Sequence, residues 1–131
     1  MTRAAPLRIG ILGCGKQAPK HLSGLKGRAD VEAVLADLEP ERARALAEAE
    51  GVAWSPSVEA VLADPTVAAG SVCTPTPAHA PLVRAAIAAG KHFCCEKPLA
   101  ETRAAAAEIV RATAERGMFG MVGFIYRFAP N

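Results

Sequence analysis

Aromatic side chains are scarce in this chain, with one Trp, one Tyr and four Phe among 131 residues. A β-sandwich core of this size draws on more aromatic bulk. Here Ala, Val, Leu and Ile supply the apolar content, as in parallel sheets covered by helices. Blocks of like charge are also missing: fifteen basic and thirteen acidic residues are interspersed and leave a formal charge of +2. That pattern carries no nucleic-acid footprint. No apolar run approaches the length of a membrane span, and Met1 to Pro6 holds no secretory apolar core, so a soluble, cytoplasmic protein without membrane contact is expected. Cysteine is limited to four residues. Cys14, Cys73, Cys94 and Cys95 lack metal-ligand spacing and read as reduced thiols, with Cys94 and Cys95 on opposite faces of a strand; no metal site is expected.

The order of elements is legible from periodicity and turn residues. Leu7 to Leu12 reads as a strand that ends in a glycine turn, followed by a helix with Pro19 in its first turn, where a missing N–H costs little. Val31 to Ala36 is a second strand, and Pro40 opens the helix-forming stretch Glu41 to Glu50. A short strand at Val52 to Trp54 precedes a helix capped by Ser57 and ended by Asp64-Pro65. Val67 to Cys73 is a fourth strand, followed by a proline-rich turn and a helix closing at Gly90. His92 to Cys95 is a fifth strand, Thr102 caps a long Ala-rich helix, and Met118 to Gly123 is a sixth strand. Strict alternation predicts an α/β Rossmann fold, a doubly wound parallel six-stranded sheet of order 3-2-1-4-5-6. Residues 1–131 read as one dinucleotide-binding domain.

The turn after the first strand holds the chemistry. Gly13-Cys14-Gly15-Lys16-Gln17-Ala18 is a G-x-G-x-x-A pattern between a strand and a helix. Gly13 permits the turn, Gly15 admits a pyrophosphate, and Ala18 lets the helix lie close to the strand, so that helix N–H groups face the phosphates. A plain glycine turn would look similar. Asp37 favours the binding reading, because it sits at the end of the second strand, where a carboxylate accepts hydrogen bonds from an adenosine ribose. The same charge repels a 2′-phosphate, so NAD is expected over NADP, with Arg42 and Arg44 nearby as the counter-argument.

Three motifs stand in order: Gly13-Cys14-Gly15 with His21 in the first helix, Cys73-Thr74-Pro75-Thr76-Pro77-Ala78-His79, and Gly90-Lys91-His92-Phe93-Cys94-Cys95-Glu96-Lys97-Pro98-Leu99. Together they resemble the glucose-fructose oxidoreductase and inositol dehydrogenase (Gfo/Idh/MocA) family of NAD(P)-dependent sugar oxidoreductases. The segment Gly123 to Pro130 is similar to the family's exit from strand six, except that Ile125 stands where a polar residue is common. The resemblance implies that Lys16 and Gln17 belong to the cofactor loop and that Thr74 and Pro75 lie against the pyrophosphate and nicotinamide ribose. It places His79 near the same cleft, although a histidine bonded to backbone at a helix start is an equal alternative. Glu96 would help hold the nicotinamide ribose. Lys97 would be the catalytic residue, reaching the hydroxyl of the reacting carbon, with a surface ion pair as the alternative. The Lys97-Pro98 peptide is expected to be cis.

Members of that family carry a second α/β domain that completes the substrate site, and this sequence contains none of it. The expected function is therefore the cofactor-binding part of an enzyme transferring hydride between a nicotinamide dinucleotide and a sugar or polyol, inactive alone. The alternative is a stand-alone, non-catalytic dinucleotide- or partner-binding module. Phe124, Tyr126 and Phe128 near the sixth strand suggest a homo-oligomer.

Overall fold

The computed structural model describes residues 4–130. In chain order the elements are β1 (Leu7–Leu12), α1 (Ala18–Leu25), β2 (Val31–Ala36), α2 (Pro40–Glu50), β3 (Ala53–Trp54), α3 (Val58–Ala63), β4 (Val67–Val72), α4 (His79–Ala88), β5 (His92–Cys95), α5 (Arg103–Glu115) and β6 (Gly120–Val122). All neighbouring strands run parallel, in the order β3-β2-β1-β4-β5-β6. This is the expected Rossmann sheet.

Helices cover the sheet because its apolar residues face both ways. On one face Leu12, Val34, Val61, Val72, Val83, Phe93 and Ile109 form a core under α3, α4 and α5. On the other, Ile11, Leu35 and Leu22 pack with Ala18, Ala43 and Ala47 of α1 and α2. Alanines at those helix positions, each at most 1% exposed, keep the helix axes close to the strands. Cys95 belongs to the first core, whereas Cys94 opens toward the other face beside Ile9 and Ile11. The two side chains therefore diverge as strand alternation requires.

Local signals set most boundaries. Ser57 Oγ accepts from the Ala60 N–H at 3.0 Å and Thr102 Oγ1 from the Ala105 N–H at 3.1 Å, so both expected N-caps are in place. Pro19 lies in the first turn of α1, and the Lys97–Pro98 bond is cis, as expected. Three strands are shorter than the sequence suggests: β4 ends at Val72, one residue before Cys73, and β3 and β6 begin late. The Val52 N–H still bonds the Ala47 carbonyl and the Met118 N–H still bonds Thr113, so both residues complete helix C-termini and only then enter β3 and β6. Single turns of 3-10 helix at Thr76–Ala78 and Ile125–Phe128 were not anticipated.

The crossover from β1 to β2 uses one face, and the β4–β5 connection uses the other. The loops after β1 and β4 therefore diverge at a switch point between two adjacent strands, where open α/β sheets accept ligands.

Candidate functional site

At that switch point the backbone itself forms the floor. Gly13 has φ +94°, and a Cβ there would lie 2.7 Å from Thr74 Cγ2 and 2.8 Å from the Thr74 nitrogen. Only glycine meets both demands, the left-handed conformation and the contact between the two loops. The Gly13 N–H bonds the Ala36 carbonyl at 2.9 Å, and the next amide, Cys14 N–H, bonds Asp37 Oδ2 at 2.8 Å. Asp37 Oδ1 accepts from the Glu39 N–H at 2.8 Å. The acid at the end of β2 is thus held at both oxygens, and it is 8% exposed.

These residues wall a cavity of about 640 Å³ together with Gly15, Lys16, Gln17, Leu38, Arg42, Pro75 and Pro77. Nothing lies within 4 Å of a Cβ built on Gly15, so the loop leaves open space in front of the α1 N-terminus, which has no side-chain cap. Thr74 Oγ1 is buried without a hydrogen-bond partner among the described residues. An unpartnered hydroxyl on a residue that lines the cavity has hydrogen-bonding capacity left for a ligand. The open approach at Gly15, an uncapped helix start for an anion and the fixed acceptor at Asp37 fit a dinucleotide. Ala18, at 0% exposure, packs beneath the loop rather than lining the cavity. Arg42 is paired with Glu39 at 3.0 Å.

A second cavity of about 470 Å³ adjoins the first through Gln17, which lines both. Glu96, Lys97, Lys20, His21 and the segment Gly123 to Tyr126 surround it, with Ile125 giving an apolar patch. The Glu96 N–H bonds the Val72 carbonyl at 3.0 Å, which fixes the residue at the end of the β5 ladder. Its Oε1 lies 2.8 Å from His21 Nε2, and His21 Nδ1 lies 2.7 Å from Ser71 Oγ. Glu96 and Lys97 therefore stand together, one cavity away from Asp37 and the glycine loop.

His79 does not open onto the cleft. It is 1% exposed, with Nδ1 at 2.6 Å from the Pro98 carbonyl and Nε2 at 2.8 Å from the Thr74 carbonyl. The backbone-bonded alternative describes it: the ring ties the loop after β4 to the loop after β5 and so supports Thr74 and Lys97 from behind.

Sequence reasoning placed His21 in a motif but gave it no task, and it passed over Ser71. The signals were present. Ala18, His21, Leu22 and Leu25 follow the three- and four-residue spacing of a buried helix face, and Ser71 interrupts an otherwise apolar strand.

Burial disfavours proton loss from the thiols near the site. Burial, reinforced by the Asp37 charge, pushes the Cys14 thiol up to about 11. Burial likewise pushes Cys73 and Cys95 up to about 12. All four cysteines are free. Among the described residues no group of three or more His, Cys, Asp or Glu is placed to hold a metal ion, and no helix is long and apolar enough to cross a membrane.

Comparison with known proteins agrees with this geometry. The family described as "Oxidoreductase family, NAD-binding Rossmann fold" matches residues 7–124. Inositol 2-dehydrogenase from Acidothermus cellulolyticus is 40% identical over 129 residues, 95% of this chain and 38% of that protein. Two solved structures have closely similar folds. KijD10, a 3-ketoreductase from Actinomadura kijaniata in complex with NADP and TDP-benzene, superposes with a TM-score of 0.89 at 30% identity, covering 96% of this chain and 39% of that one. GenD2 from gentamicin A biosynthesis, in complex with NAD, gives 0.90 at 27% identity, covering 99% and 38%. The chain spans about 38% of the length of the curated inositol dehydrogenase it matches. A glycine loop against β4, an acid fixed at the end of β2, the 3-2-1-4-5-6 sheet and a family match across nearly the whole chain converge: this chain belongs to the oxidoreductase family with the NAD-binding Rossmann fold.

Proposed function

We propose that this chain is the dinucleotide-binding domain of an oxidoreductase that transfers hydride between a nicotinamide cofactor and a hydroxyl of a sugar or polyol. The observation that carries the reading is the adjacency of the two cavities: the first holds Gly13, Gly15 and Asp37, and the second holds Glu96 and Lys97, with Gln17 shared between them. In this reading Asp37 accepts the adenosine ribose hydroxyls, and the loop Gly13, Gly15, Lys16, Gln17 with the start of α1 takes the pyrophosphate. Thr74 and Pro75 line the middle of the dinucleotide, with the Thr74 hydroxyl gaining the partner it lacks. His79 serves indirectly, by holding the carbonyls of Thr74 and Pro98.

The bound cofactor supplies the hydride acceptor or donor. The chain's part is to place a cation beside the reacting oxygen. Lys97 at the end of β5 donates a hydrogen bond to that oxygen and stabilises negative charge as it develops. Sugar and polyol substrates suit a pocket that pairs a carboxylate with an ammonium, and inositol is what the 40% identical relative is named for. The isolated domain is expected to bind cofactor without turnover, since Phe124, Ile125 and Tyr126 beside the second cavity are 55%, 68% and 88% exposed and leave it open to water. Those apolar side chains also support self-association, in a cytoplasmic setting.

NAD is the preferred cofactor, because the Asp37 carboxylate repels a 2′-phosphate while Glu39 already occupies Arg42. Calorimetric titration tests this. The chain binds NAD more tightly than NADP, and Asp37→Ala lowers NAD affinity by about tenfold, the loss of charge-assisted hydrogen bonds. Equal or tighter NADP binding by the unaltered chain, or an unchanged NAD affinity in the variant, refutes the assignment.

A further inference from the structure

His21 is a polar residue on the buried face of α1, and it contacts Ser71 of β4 and Glu96 just past the end of β5. Its side chain is 19% exposed and that of Glu96 15%. A carboxylate oxygen only accepts, so Nε2 carries a proton and donates to Glu96 Oε1 at 2.8 Å. With that single ring proton, Nδ1 is the acceptor for the Ser71 O–H at 2.7 Å. The Cys73 thiol lies 3.9 Å from Ser71 Oγ, and with the Ser71 proton directed to His21 the thiol is the donor of that contact. Every proton in this series then points the same way, from the end of β4 through the helix to the carboxylate. One oxygen of Glu96 is consumed. The other, Oε2, makes no hydrogen bond among the described residues, and the carboxylate lines the cavity that also holds Lys97.

We propose that His21 is a positioning residue that holds the Glu96 carboxylate in one rotamer through a tautomer fixed by Ser71, so that Glu96 Oε2 accepts from a sugar hydroxyl of the nicotinamide half of the cofactor. The inference rests on the dinucleotide function proposed above and deepens it. A glutamate at a strand end otherwise samples several rotamers, and ordering it in advance removes that entropy from the binding step. The fixed carboxylate and the neighbouring Lys97 then present an acceptor and a donor side by side, the pair that a hydroxyl group satisfies simultaneously.

The test separates the two halves of the cofactor. ADP lacks the second ribose, ADP-ribose contains it, and NAD contains it with the nicotinamide. In calorimetric titrations His21→Leu binds ADP as the unaltered chain does, and binds ADP-ribose and NAD about tenfold more weakly. His21→Gln, whose amide N–H falls near Nε2, recovers most of that loss. Glu96→Gln matches His21→Leu, and combining the two adds nothing further, because both remove one interaction. Should His21→Leu fail to fold, Ser71→Ala serves: it removes only the tautomer lock and weakens ADP-ribose by about threefold while sparing ADP. An independent readout needs no cofactor. Long-range proton–nitrogen NMR of the His21 ring shows the Nε2–H tautomer.

Equal weakening of ADP and NAD in His21→Leu, unchanged ADP-ribose affinity, or a neutral Nδ1–H ring overturns the proposal. If the unaltered chain binds ADP but gains nothing from the second ribose, this inference fails while the cofactor site stands. If it does not bind ADP at all, the proposed function fails first.

Discussion

Gly13 and Gly15 are two residues apart in one loop, yet replacing each with alanine has opposite consequences. At Gly13 an added methyl meets the Thr74 side chain at 2.7 Å and its backbone nitrogen at 2.8 Å, on a residue whose φ is +94°. The conformation alone costs about 1–2 kcal/mol for a side chain, and forcing a methyl into a filled contact adds about 1–3 kcal/mol. A loss of about 3 kcal/mol is expected for Gly13→Ala, which lowers Tm by about 10 °C in a domain of this size. At Gly15 the methyl meets no atom within 4 Å and no positive φ is required. Gly15→Ala should therefore leave stability within about 0.5 kcal/mol of the unaltered chain. Its methyl stands in the cavity, where the pyrophosphate is proposed to approach the backbone, and the same steric penalty of about 1–3 kcal/mol becomes a loss of roughly tenfold to a hundredfold in NAD affinity. Thermal denaturation by circular dichroism and NAD titration, run on both variants, read the two effects separately. Equal losses of Tm, or a Gly15→Ala protein that binds NAD normally, refute the reasoning.

Two further outcomes follow from groups buried around the site. His79→Ala leaves the Thr74 and Pro98 carbonyls without their shared partner and opens a cavity at a 1% exposed position; urea denaturation should show a loss of about 2–4 kcal/mol, and a loss under 1 kcal/mol removes the tie between the loops. The thiols titrate at 9.0 when unburied but at about 12 for Cys73 and Cys95 in the fold. Above pH 9 the unfolded chain therefore binds fewer protons than the native one, and stability falls as pH rises through that window and levels off near 12. Urea midpoints measured from pH 8 to 11 check the sign, and a Cys73→Ala variant should flatten the slope.

The sheet order and the glycine loop were legible in the sequence because they rest on local rules: strand–helix alternation, a turn that only glycine makes, and caps such as Ser57 and Thr102 that satisfy the nearest amides. The ends of β3 and β6 were not, since Val52 and Met118 are claimed by the preceding helix through hydrogen bonds that periodicity does not report. The cavity-lining residues Gly15 and Asp37 were legible for the same reason, their place at strand ends. His79 was only half legible. Its neighbours Thr74 and Pro98 are five and nineteen residues away, and whether a histidine faces a cleft or two carbonyls depends on how those loops fold against each other. The His21–Ser71–Glu96 series was harder still, because its members are separated by 50 and 75 residues and meet only after α1 has docked on the sheet. What the sequence does carry is the anomaly, a polar side chain on each apolar face.

The two backbone amides that Asp37 accepts bear on how cofactor choice could change in evolution or by engineering. Exchanging NAD for NADP calls for removing that carboxylate and supplying a cation. Here the carboxylate also closes the Cys14 and Glu39 amides at 2.8 Å each, so a single substitution to a residue without a side-chain acceptor, such as Ala, unties the glycine loop while it relaxes specificity. A route to NADP through this chain therefore requires a replacement that keeps an acceptor, such as Ser or Asn, before Glu39 is removed to release Arg42. The order of mutations is constrained, with intermediates that leave position 37 without an acceptor binding neither cofactor well.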